Sequence, residues 1–282
     1  MRRIESKDNP VYKKLAALRS ASYAAKNKLV AVEGLRHVLD VLSSGYDPAY
    51  LYFSDDEKGK DALKAVLEMD RETVGEGDDR LIQLPAHLFH RATAQKASQG
   101  LIALFPYRMA DLETFLSAVA EAGSACQLLI LEAIQDPGNV GTLIRTADAL
   151  GLDGVLLEAS CASVWNAKTA AASMGSLFHL PVLAPSGSLG ETLDRLKADG
   201  FELIGSGLKG QGLAEARLTG AKTALMLGNE GSGLSDEAAL RADRILTIPM
   251  KGEADSLNVA SAGAILLWEL VKQRTAPDRG LV

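Results

Sequence analysis

The sequence predicts an α/β protein of two domains, the second built around a mostly parallel sheet. In the second half of the chain, strand-like apolar runs alternate with helical stretches, an order typical of a parallel sheet covered by helices on both faces. Glycine is concentrated in the same half, with 6 glycines in residues 1–106 and 20 in residues 107–282. The length of 282 residues is sufficient for two domains of ordinary size.

Residues 1–106 are predicted to form a small α/β domain. Apolar residues recur at helical spacing in some segments and form short uninterrupted runs in others. The predicted helices are 9–20, 23–27, 35–44 and 58–69, and the predicted strands are 29–32, 50–53 and 101–105. The composition changes after this domain, so residues 107–125 are predicted to be a linker that contains a polar segment of helical pattern, 111–122.

Residues 126–282 are predicted to form the second domain. Its predicted strands are 128–133, 154–158, 181–183, 201–204, 224–227 and 245–248, and its predicted helices are 141–150, 164–174, 189–198, 236–242 and 256–272. Ligands of parallel sheets bind at the carboxyl ends of the strands. Three loops at such ends, 135–139, 228–233 and 249–253, are therefore the candidate ligand-binding segments.

The charge is unevenly distributed along the chain. The formal net charge of −6 and the pI of about 5.4, taken alone, argue against a nucleic-acid partner. Residues 1–30, however, carry eight basic and two acidic side chains. This segment is either a basic arm that contacts a polyanion or the solvated face of a helix.

Membrane, secreted and metal-binding classes are not indicated. No apolar run approaches the roughly 18 residues of a membrane span, and the N-terminal ten residues do not resemble a signal peptide. Cys126 and Cys161 match no metal or redox spacing, which predicts a cytoplasmic protein with reduced thiols. His87 and His90 lack a neighbouring carboxylate or thiol ligand, so no metal is expected.

A dinucleotide-binding alternative depends on one weak match. Gly205, Gly207 and Gly210 fit the pattern G-x-G-x-x-G after a predicted strand, but no long helix begins at the third glycine. A mobile glycine loop is the preferred interpretation, and a nucleotide-dependent oxidoreductase stays an outside alternative. Gln211 stands where a phosphate-binding Walker A loop requires lysine.

Two other segments offer chemically useful side chains. In residues 227–236 a strand ends among three glycines, with the amide of Asn229 and the carboxylate of Glu230, expected on the buried side, between them. Ser235 is expected to cap the following helix. Arg145 lies among apolar residues of a predicted helix, where an arginine is usually a surface residue or part of an ion pair. If it faces a ligand, its guanidinium suits bidentate binding of a phosphate.

Taken together and in order, three segments resemble motifs 1, 2 and 3 of the SpoU (TrmH-type) ribose 2′-O-methyltransferases. They are NVGTLIRTA at 139–147, LGNEGSGLS at 227–235 and IPMKGEADSLNVA at 248–260. The pattern formed by Ile4-Glu-Ser6, Asn9-Pro-Val-Tyr-Lys13, Val32-Glu33-Gly34 and Arg36 is similar to the L30e-like substrate-binding domain that precedes many such enzymes. The resemblance covers nearly the whole chain. Ala260-Ser261 departs mildly from it, since many relatives have a second small polar residue there.

The resemblance implies an L30e-like domain at 1–106, a trefoil-knotted SPOUT methyltransferase domain at 126–282, a homodimer and S-adenosylmethionine as cofactor. Composition and spacing indicate none of these. The cofactor-binding residues implied by the matched motifs are Gly228, Ile248, Met250 and Leu257. The implied reaction-centre residues are Asn139, Arg145, Glu230, Ser256 and Asn258.

The implied reaction is attack of an RNA ribose 2′-hydroxyl on the sulfonium methyl group. Ribosomal RNA of the 23S type is favoured as substrate, because an L30e-like domain suits a structured RNA. A tRNA methyltransferase and a catalytically silent RNA-binding or ribosome-assembly protein are the alternatives. The family assigns activation of the hydroxyl to Arg145. Since guanidinium stays protonated, we interpret Arg145 as a phosphate clamp oriented by Glu230 and Asn139, with proton abstraction by Arg145 as the alternative.

Overall fold

A computed structural model describes residues 1–69, 75, 77–93, 97–218, 220–253 and 255–274. Its helices and strands follow one another closely along the chain. In order, they are β1 (Arg2–Arg3), α1 (Pro10–Ala17), α2 (Ala21–Asn27), β2 (Leu29–Glu33), α3 (Leu35–Ser43), β3 (Tyr50–Ser54), α4 (Glu57–Met69), β4 (Leu81–Leu84), α5 (Ala86–Ala92), β5 (Leu101–Pro106), β6 (Ala110–Asp111), α6 (Leu112–Ala122), β7 (Cys126–Leu131), α7 (Pro137–Ala149), β8 (Gly154–Leu157), α8 (Ala167–Ser173), β9 (Val182–Ala184), α9 (Leu189–Ala198), β10 (Glu202–Gly212), β11 (Lys222–Leu227), α10 (Asp236–Arg241), β12 (Arg244–Thr247) and α11 (Val259–Arg274).

The chain forms two compact units whose limits differ from the predicted domains. Unit 1 is Met1–Arg108 with Ser163–His179, and unit 2 is Met109–Ala162 with Leu180–Val282. The predicted linker, 107–125, is largely occupied by β6 and α6. These elements belong to unit 2, because the apolar side of α6 is buried in the core of that unit's sheet.

Unit 1 contains a five-stranded sheet in the order β1-β4-β3-β5-β2. β1, β3 and β4 are parallel to one another, whereas β5 is antiparallel to both β2 and β3. Each strand predicted in this half is present. β4 and α5 were not predicted, since β4 is only four residues long and reads LIQL, too short for a clear periodicity.

The segment 163–179 is built into unit 1 by an aromatic cluster. Phe178 packs edge-on against Tyr46, Phe105 and Tyr107, with ring centroids 4.9, 5.5 and 5.5 Å apart. Such aromatic pairs add to the stabilisation that burial of the rings already provides. The sequence predicted this segment as part of the second domain, because sequence order does not reveal which core an aromatic side chain joins.

The basic N-terminal segment is folded rather than an extended arm. It forms β1, α1 and α2, and several of its cations have partners within unit 1. Arg2 pairs with Asp79 at 3.3 Å, and Arg19 donates to the carbonyl oxygens of Arg91 and Thr93. Some of the cationic side chains of residues 1–30 are therefore engaged in ion pairs or hydrogen bonds within unit 1.

Unit 2 contains a seven-stranded sheet in the order β12-β10-β11-β7-β8-β9-β6, and all of its pairings are parallel. The predicted α/β class and parallel sheet are confirmed. Helices α7, α9 and α11 connect or follow the strands, as parallel connections require. The trefoil knot stays a prediction, because strand order does not specify how the chain threads. In the described part of the chain, no helix is both long and apolar enough to cross a membrane.

The glycine-rich segment 205–210 is a strand, so the prediction of a mobile loop is wrong. β10 continues through it and pairs with β12 on both sides of a register shift. A Cβ at Gly210 would overlap the carbonyl oxygen of Ile245, so glycine here allows the strands to approach. A short 3-10 helix, Leu213–Glu215, follows instead of the long helix that a dinucleotide-binding site requires.

Candidate functional site

Three loops at one edge of the sheet in unit 2 carry or adjoin the predicted site residues. They follow β7, β11 and β12 and comprise residues 132–136, 228–235, and 248–253 with 255–258. β7 and β11 pair in parallel up to Leu131 and Leu227, so their loops leave the sheet side by side. The sequence placed ligand binding at this edge, and the parallel order of the strands explains why the loops converge there.

The helix that carries Asn139 and Arg145 begins at a well-capped N-terminus. Asp136 accepts a hydrogen bond of 3.0 Å from the backbone N–H of Asn139, and Pro137 occupies the first helical position. The apolar side of α7 is buried, whereas Arg145 is exposed. With the residues that the structure describes, Arg145 makes no hydrogen bond or ion pair, so its guanidinium is available to an external anion.

The loop after β11 is a tight turn closed by two backbone hydrogen bonds. Asn229 and Gly233 each donate to the other's carbonyl oxygen at 2.9 Å, which leaves residues 230–232 at the tip. A Cβ at Gly228 would overlap the backbone of Gly233, so this position requires glycine. Glu230 is exposed at the tip, and the expectation that it lies on the buried side is wrong because the turn projects away from the sheet.

The side chain of Asn229 connects this turn to the loop after β7. Its Nδ2 donates to the carbonyl oxygen of Ala133 at 2.9 Å, and its Oδ1 accepts from the backbone N–H groups of Gly231 and Ser232 at 2.9 and 3.1 Å. Ala133 has a φ of +53°, an uncommon conformation for a residue with a side chain. The sequence singled out this amide but gave it no role.

Glu132 is the buried carboxylate at this edge of the sheet. It is 7% exposed, and its Oε2 accepts from the backbone N–H of Ser235 at 3.1 Å. Ser235 in turn accepts from the N–H of Ala238 at 3.2 Å, which confirms the predicted cap of α10. Sequence reasoning missed Glu132, although an acidic residue directly after an apolar strand was the available signal.

A chain of side-chain hydrogen bonds joins the start of α7 to the loops after β11 and β12. Asn139 donates from Nδ2 to Glu230 Oε1 at 2.9 Å, and its Oδ1 accepts from Asn258 Nδ2 at 3.1 Å. The Oδ1 of Asn258 accepts from the backbone N–H groups of Ala260 and Ser261, which caps the start of α11. Three of the five predicted reaction-centre residues are therefore in direct contact.

The other two predicted reaction-centre residues stand apart from this chain. Neither Arg145 nor Ser256 makes a hydrogen bond with any described residue, and both are exposed. The predicted orientation of Arg145 by Glu230 and Asn139 is not seen, because within the described residues Arg145 donates no hydrogen bond to either side chain. The edge presents the free hydroxyl of Ser256 and a carboxylate with one oxygen already engaged, whereas Arg145 lies on α7 about 9 Å along the helix from Asn139.

The predicted cofactor residues in the third loop expose apolar surface. Met250 and Leu257 are each 40% exposed, and Ile248 is partly buried. Apolar walls beside a few oriented polar groups are what small-molecule sites in proteins present. The arrangement is suited to a ligand with both an apolar and a polar portion.

Neither thiol forms a disulfide. The Sγ of Cys161 donates to the carbonyl oxygen of Leu131 at 3.2 Å and accepts from the N–H of Ile134 at 3.3 Å. Burial raises the pKa of this thiol to about 12. Cys161 is therefore a neutral, structural thiol that fastens the chain after β8 to the loop after β7.

Unit 1 has a cavity of its own but none of the predicted site residues. The cavity has a volume of about 350 Å³ and is lined by Lys58, His90 and Gly100, among others. His87 and His90 are both exposed on α5. Within the described ranges, no group of three or more metal-ligating side chains comes together.

Comparison with known proteins gives consistent matches. Residues 126–268 match the SpoU rRNA Methylase family. The chain is 42% identical over 147 residues to the 23S rRNA (guanosine(2553)-2′-O)-methyltransferase RlmP of Bacillus subtilis (strain 168), which is 52% of this chain and 58% of that protein. It is 33% identical over 182 residues to a protein named as a TrmH family tRNA/rRNA methyltransferase of Staphylococcus aureus (strain COL), 64% of this chain and 73% of that protein.

Solved structures match over nearly the full length. The AdoMet-bound rRNA methyltransferase from Sinorhizobium meliloti is 25% identical with a TM-score of 0.83, over 98% of this chain and 99% of that chain. The SpoU methyltransferase AviRb from Streptomyces viridochromogenes, in complex with the cofactor AdoMet, is 27% identical with a TM-score of 0.80, over 96% of this chain and 100% of that chain.

Proposed function

The chain belongs to the SpoU rRNA methylase family, and from that premise we propose that it transfers a methyl group from S-adenosylmethionine to a ribose 2′-hydroxyl of ribosomal RNA. The observation that carries the proposal is the hydrogen-bonded chain Glu230–Asn139–Asn258. It joins one residue from each of the three motifs that resemble this family. A catalytically silent protein of the same fold would have no need to keep these side chains in contact.

Two of the similar proteins support ribosomal RNA as the substrate. The relative from Bacillus subtilis is named for 23S rRNA, and the structure from Sinorhizobium meliloti is titled an rRNA methyltransferase. The relative from Staphylococcus aureus is named for tRNA and rRNA together, so a tRNA substrate is the alternative within the same chemistry.

We propose that Gly228, Ile248, Met250 and Leu257 hold the cofactor. Met250 and Leu257 offer exposed apolar surface, and Gly228 permits the tight turn after β11, which presents backbone groups at the same end of the sheet. The fit agrees with a cofactor that has an apolar adenine face and polar edges, and AdoMet is bound in the similar AviRb structure. When bound, S-adenosylmethionine supplies an electrophilic methyl group on a sulfonium sulfur.

Arg145 is proposed to bind the RNA backbone next to the reacting ribose. Its exposed guanidinium has no partner among the described residues, and planar guanidinium matches a phosphate in bidentate geometry. It would stabilise the negative charge that develops on the 2′-oxygen, while a phosphate oxygen or a water accepts the proton. Arg145 itself stays protonated throughout.

The remaining site residues are proposed to hold this edge in the reactive arrangement. Asn139 is fixed at both ends of its amide, to Glu230 and to Asn258. Fixed side chains keep the attacking oxygen aligned without reorganisation at the moment of reaction. The Ser256 hydroxyl is free to donate to substrate or cofactor.

Unit 1 is proposed to recognise the RNA. The carboxyl ends of β2 and β3 lie at one edge of its sheet, and α3 and α4 begin directly after them. Arg36 and Lys58, in the first turns of these helices, are exposed and make no ion pair within the described residues. Helix N-termini and free cations together favour phosphate groups.

The active protein is proposed to be a cytoplasmic homodimer. In α11, Ile265 and Trp268 are 41% and 45% exposed and lie three residues apart on one face of the helix. A large apolar pair on a surface helix is typical of a protein–protein contact. The cytoplasmic location is supported by the two cysteines that form no disulfide.

The test is methyl transfer from labelled S-adenosylmethionine to unmodified ribosomal RNA and, separately, to unmodified tRNA. Ribose methylation is then mapped in cellular RNA with and without the protein. We expect 2′-O-methylation of one ribosomal nucleotide. Labelling of tRNA alone would assign the alternative substrate. Cofactor binding with no transfer to either RNA would contradict the enzymatic proposal.

A further inference from the structure

We propose that Asn229 is a positioning residue for methyl transfer: its side chain holds the loops after β7 and β11 in the arrangement in which Glu230 reaches Asn139. The proposal rests on the proposed function, because Asn139 and Glu230 are placed in its reaction centre. Asn229 is not assigned to the reaction centre, and its side chain bonds to the backbone of Ala133, Gly231 and Ser232.

The acceptor end of the Asn229 side chain shapes the turn that carries Glu230. Its Oδ1 accepts from the backbone N–H groups of Gly231 and Ser232, which follow Glu230 directly. Such bonds from an asparagine to its own turn fix the local backbone. The backbone hydrogen bonds between Asn229 and Gly233 close the same turn. Together these bonds restrict the positions that Glu230 can adopt.

The donor end of the same side chain acts on the opposite loop. Its Nδ2 donates to the carbonyl oxygen of Ala133, whose φ of +53° turns the chain sharply after β7. Ala133 lies three residues before Asp136, the cap of α7, and Asn139 is in the first turn of that helix. A shift at Ala133 therefore moves the start of α7 and with it the side chain of Asn139.

An asparagine side chain is required here because one end of its amide accepts hydrogen bonds and the other end donates one. Asparagine offers an acceptor and a donor on one planar group, whereas aspartate offers acceptors alone. In Asn229→Asp the bonds to Gly231 and Ser232 are retained. The bond to Ala133 is replaced by a carboxylate oxygen facing a carbonyl oxygen. This variant thus separates the shape of the turn from the link between the loops.

The experiment compares Asn229→Asp with the wild type and with Gln273→Glu. Gln273 is a matched control, because its amide also bridges two backbone groups, donating to Ala216 and accepting from Leu218 at 2.9 and 2.8 Å. It lies near the far end of α11, about 22 Å along the helix from Asn258. The measurements are kcat, the KM for RNA, the Kd for S-adenosylmethionine, and hydrogen exchange of peptides covering 133–139 and 230–232.

For Asn229→Asp we expect kcat to fall by about ten- to hundredfold, the effect seen for residues that orient the ligands of a metal through hydrogen bonds. The Kd for S-adenosylmethionine and the KM for RNA stay within about threefold, and exchange rises over 133–139 but not over 230–232. Gln273→Glu keeps kcat within about threefold at a temperature below its melting point. Asn229→Ala, which adds no charge beside Glu230, is expected to lose kcat as well and to exchange faster in both segments.

An unchanged kcat in Asn229→Asp, or a loss of cofactor affinity as large as the loss of kcat, would overturn the proposal. If the wild type transfers no methyl group, the proposed function fails. The exchange over 133–139 then decides alone whether Asn229 links the loops.

Discussion

The amide of Asn139 donates a hydrogen bond of 2.9 Å to the carboxylate of Glu230, although 91 positions separate the two residues in the sequence. The first follows β7 and the second follows β11, and these strands are neighbours in the sheet. The bond ties the start of α7 to the tip of the turn after β11. Its consequence is that the two residues act as one unit in the site.

Substitutions at these two positions are therefore expected to be non-additive. Asn139→Ala and Glu230→Ala each lower kcat/KM by about ten- to hundredfold, and the double variant loses little more than either single variant, because residues in contact share one interaction. A double-mutant cycle on methyl transfer measures this coupling. Losses that multiply in the double variant would show that the two residues act independently.

Arg145 is expected to affect transfer without affecting folding. Its side chain is exposed and has no partner in the described part of the chain, so Arg145→Ala changes the free energy of unfolding by less than about 0.5 kcal/mol. Loss of its charge lowers kcat by about a hundredfold or more.

Arg145→Lys tests the geometry of that cation, because lysine keeps the charge but lacks the planar fork. We expect it to bind S-adenosylmethionine like the wild type and to transfer methyl groups much more slowly. Calorimetry of cofactor binding and a labelled transfer assay measure the two effects. Near wild-type transfer by either variant would remove Arg145 from the site.

The edge that holds the site was predictable from the sequence, because periodicity and glycine-rich turns mark the ends of strands locally. The resemblance to motifs 1, 2 and 3 identifies Asn139, Glu230 and Asn258 individually. The bonds between them were not predictable, since they depend on which strands are neighbours. The bond from Asn139 to Glu230 is a result of that packing.

Errors in the prediction have the same physical origin. Gly210 indicates a loop locally, but next to Ile245 it serves the close approach of two strands. Phe178 looks like a core residue of whichever domain it lies in, and only the rings of unit 1 show which core it joins. Composition indicates that a residue will be buried, but it does not indicate which residues it will pack against.

Gly228 is expected to tolerate no side chain. A Cβ there would overlap the backbone of Gly233, so Gly228→Ala forces the turn open at a cost of about 1–3 kcal/mol. Because the turn must close again to hold the cofactor, the same cost lowers the affinity for S-adenosylmethionine by about 5- to 140-fold, at about 1.4 kcal/mol for each tenfold step.

Gly212→Ala is the matched control for Gly228→Ala. Its Cβ would meet nothing closer than 3.9 Å, and its φ of −59° suits any residue. Thermal melts and cofactor titrations of the two variants provide the comparison. Equal behaviour of the two variants would mean that the turn adjusts without loss.

Trp268 is expected to contribute to a dimer contact. Trp268→Asp introduces a charge into the exposed apolar face of α11 and should convert a dimer to monomers at micromolar concentration. Leu240→Asp is the control, because Leu240 is 85% exposed on α10 and should not affect assembly. Sedimentation velocity reports the state of each. A monomeric wild type, or a dimer that survives in Trp268→Asp, would contradict the proposed homodimer.

Cys161 is expected to react slowly in the folded protein. Alkylation requires the thiolate, and burial raises the pKa of this thiol from its ordinary value of 9.0 to about 12, so it stays protonated at pH 8. The raised pKa means that its contribution to stability is complete below about pH 9 and is lost as the pH rises towards 12. Iodoacetamide labelling followed by peptide mass spectrometry should show Cys161 reacting far faster in urea than in buffer at pH 8.

Cys161→Ser, which removes the titrating thiol, should lose less stability between pH 8 and 10.5 than the wild type. Equal labelling of folded and unfolded protein, or equal pH dependence of the two melts, would show that the thiol is not held in its neutral form.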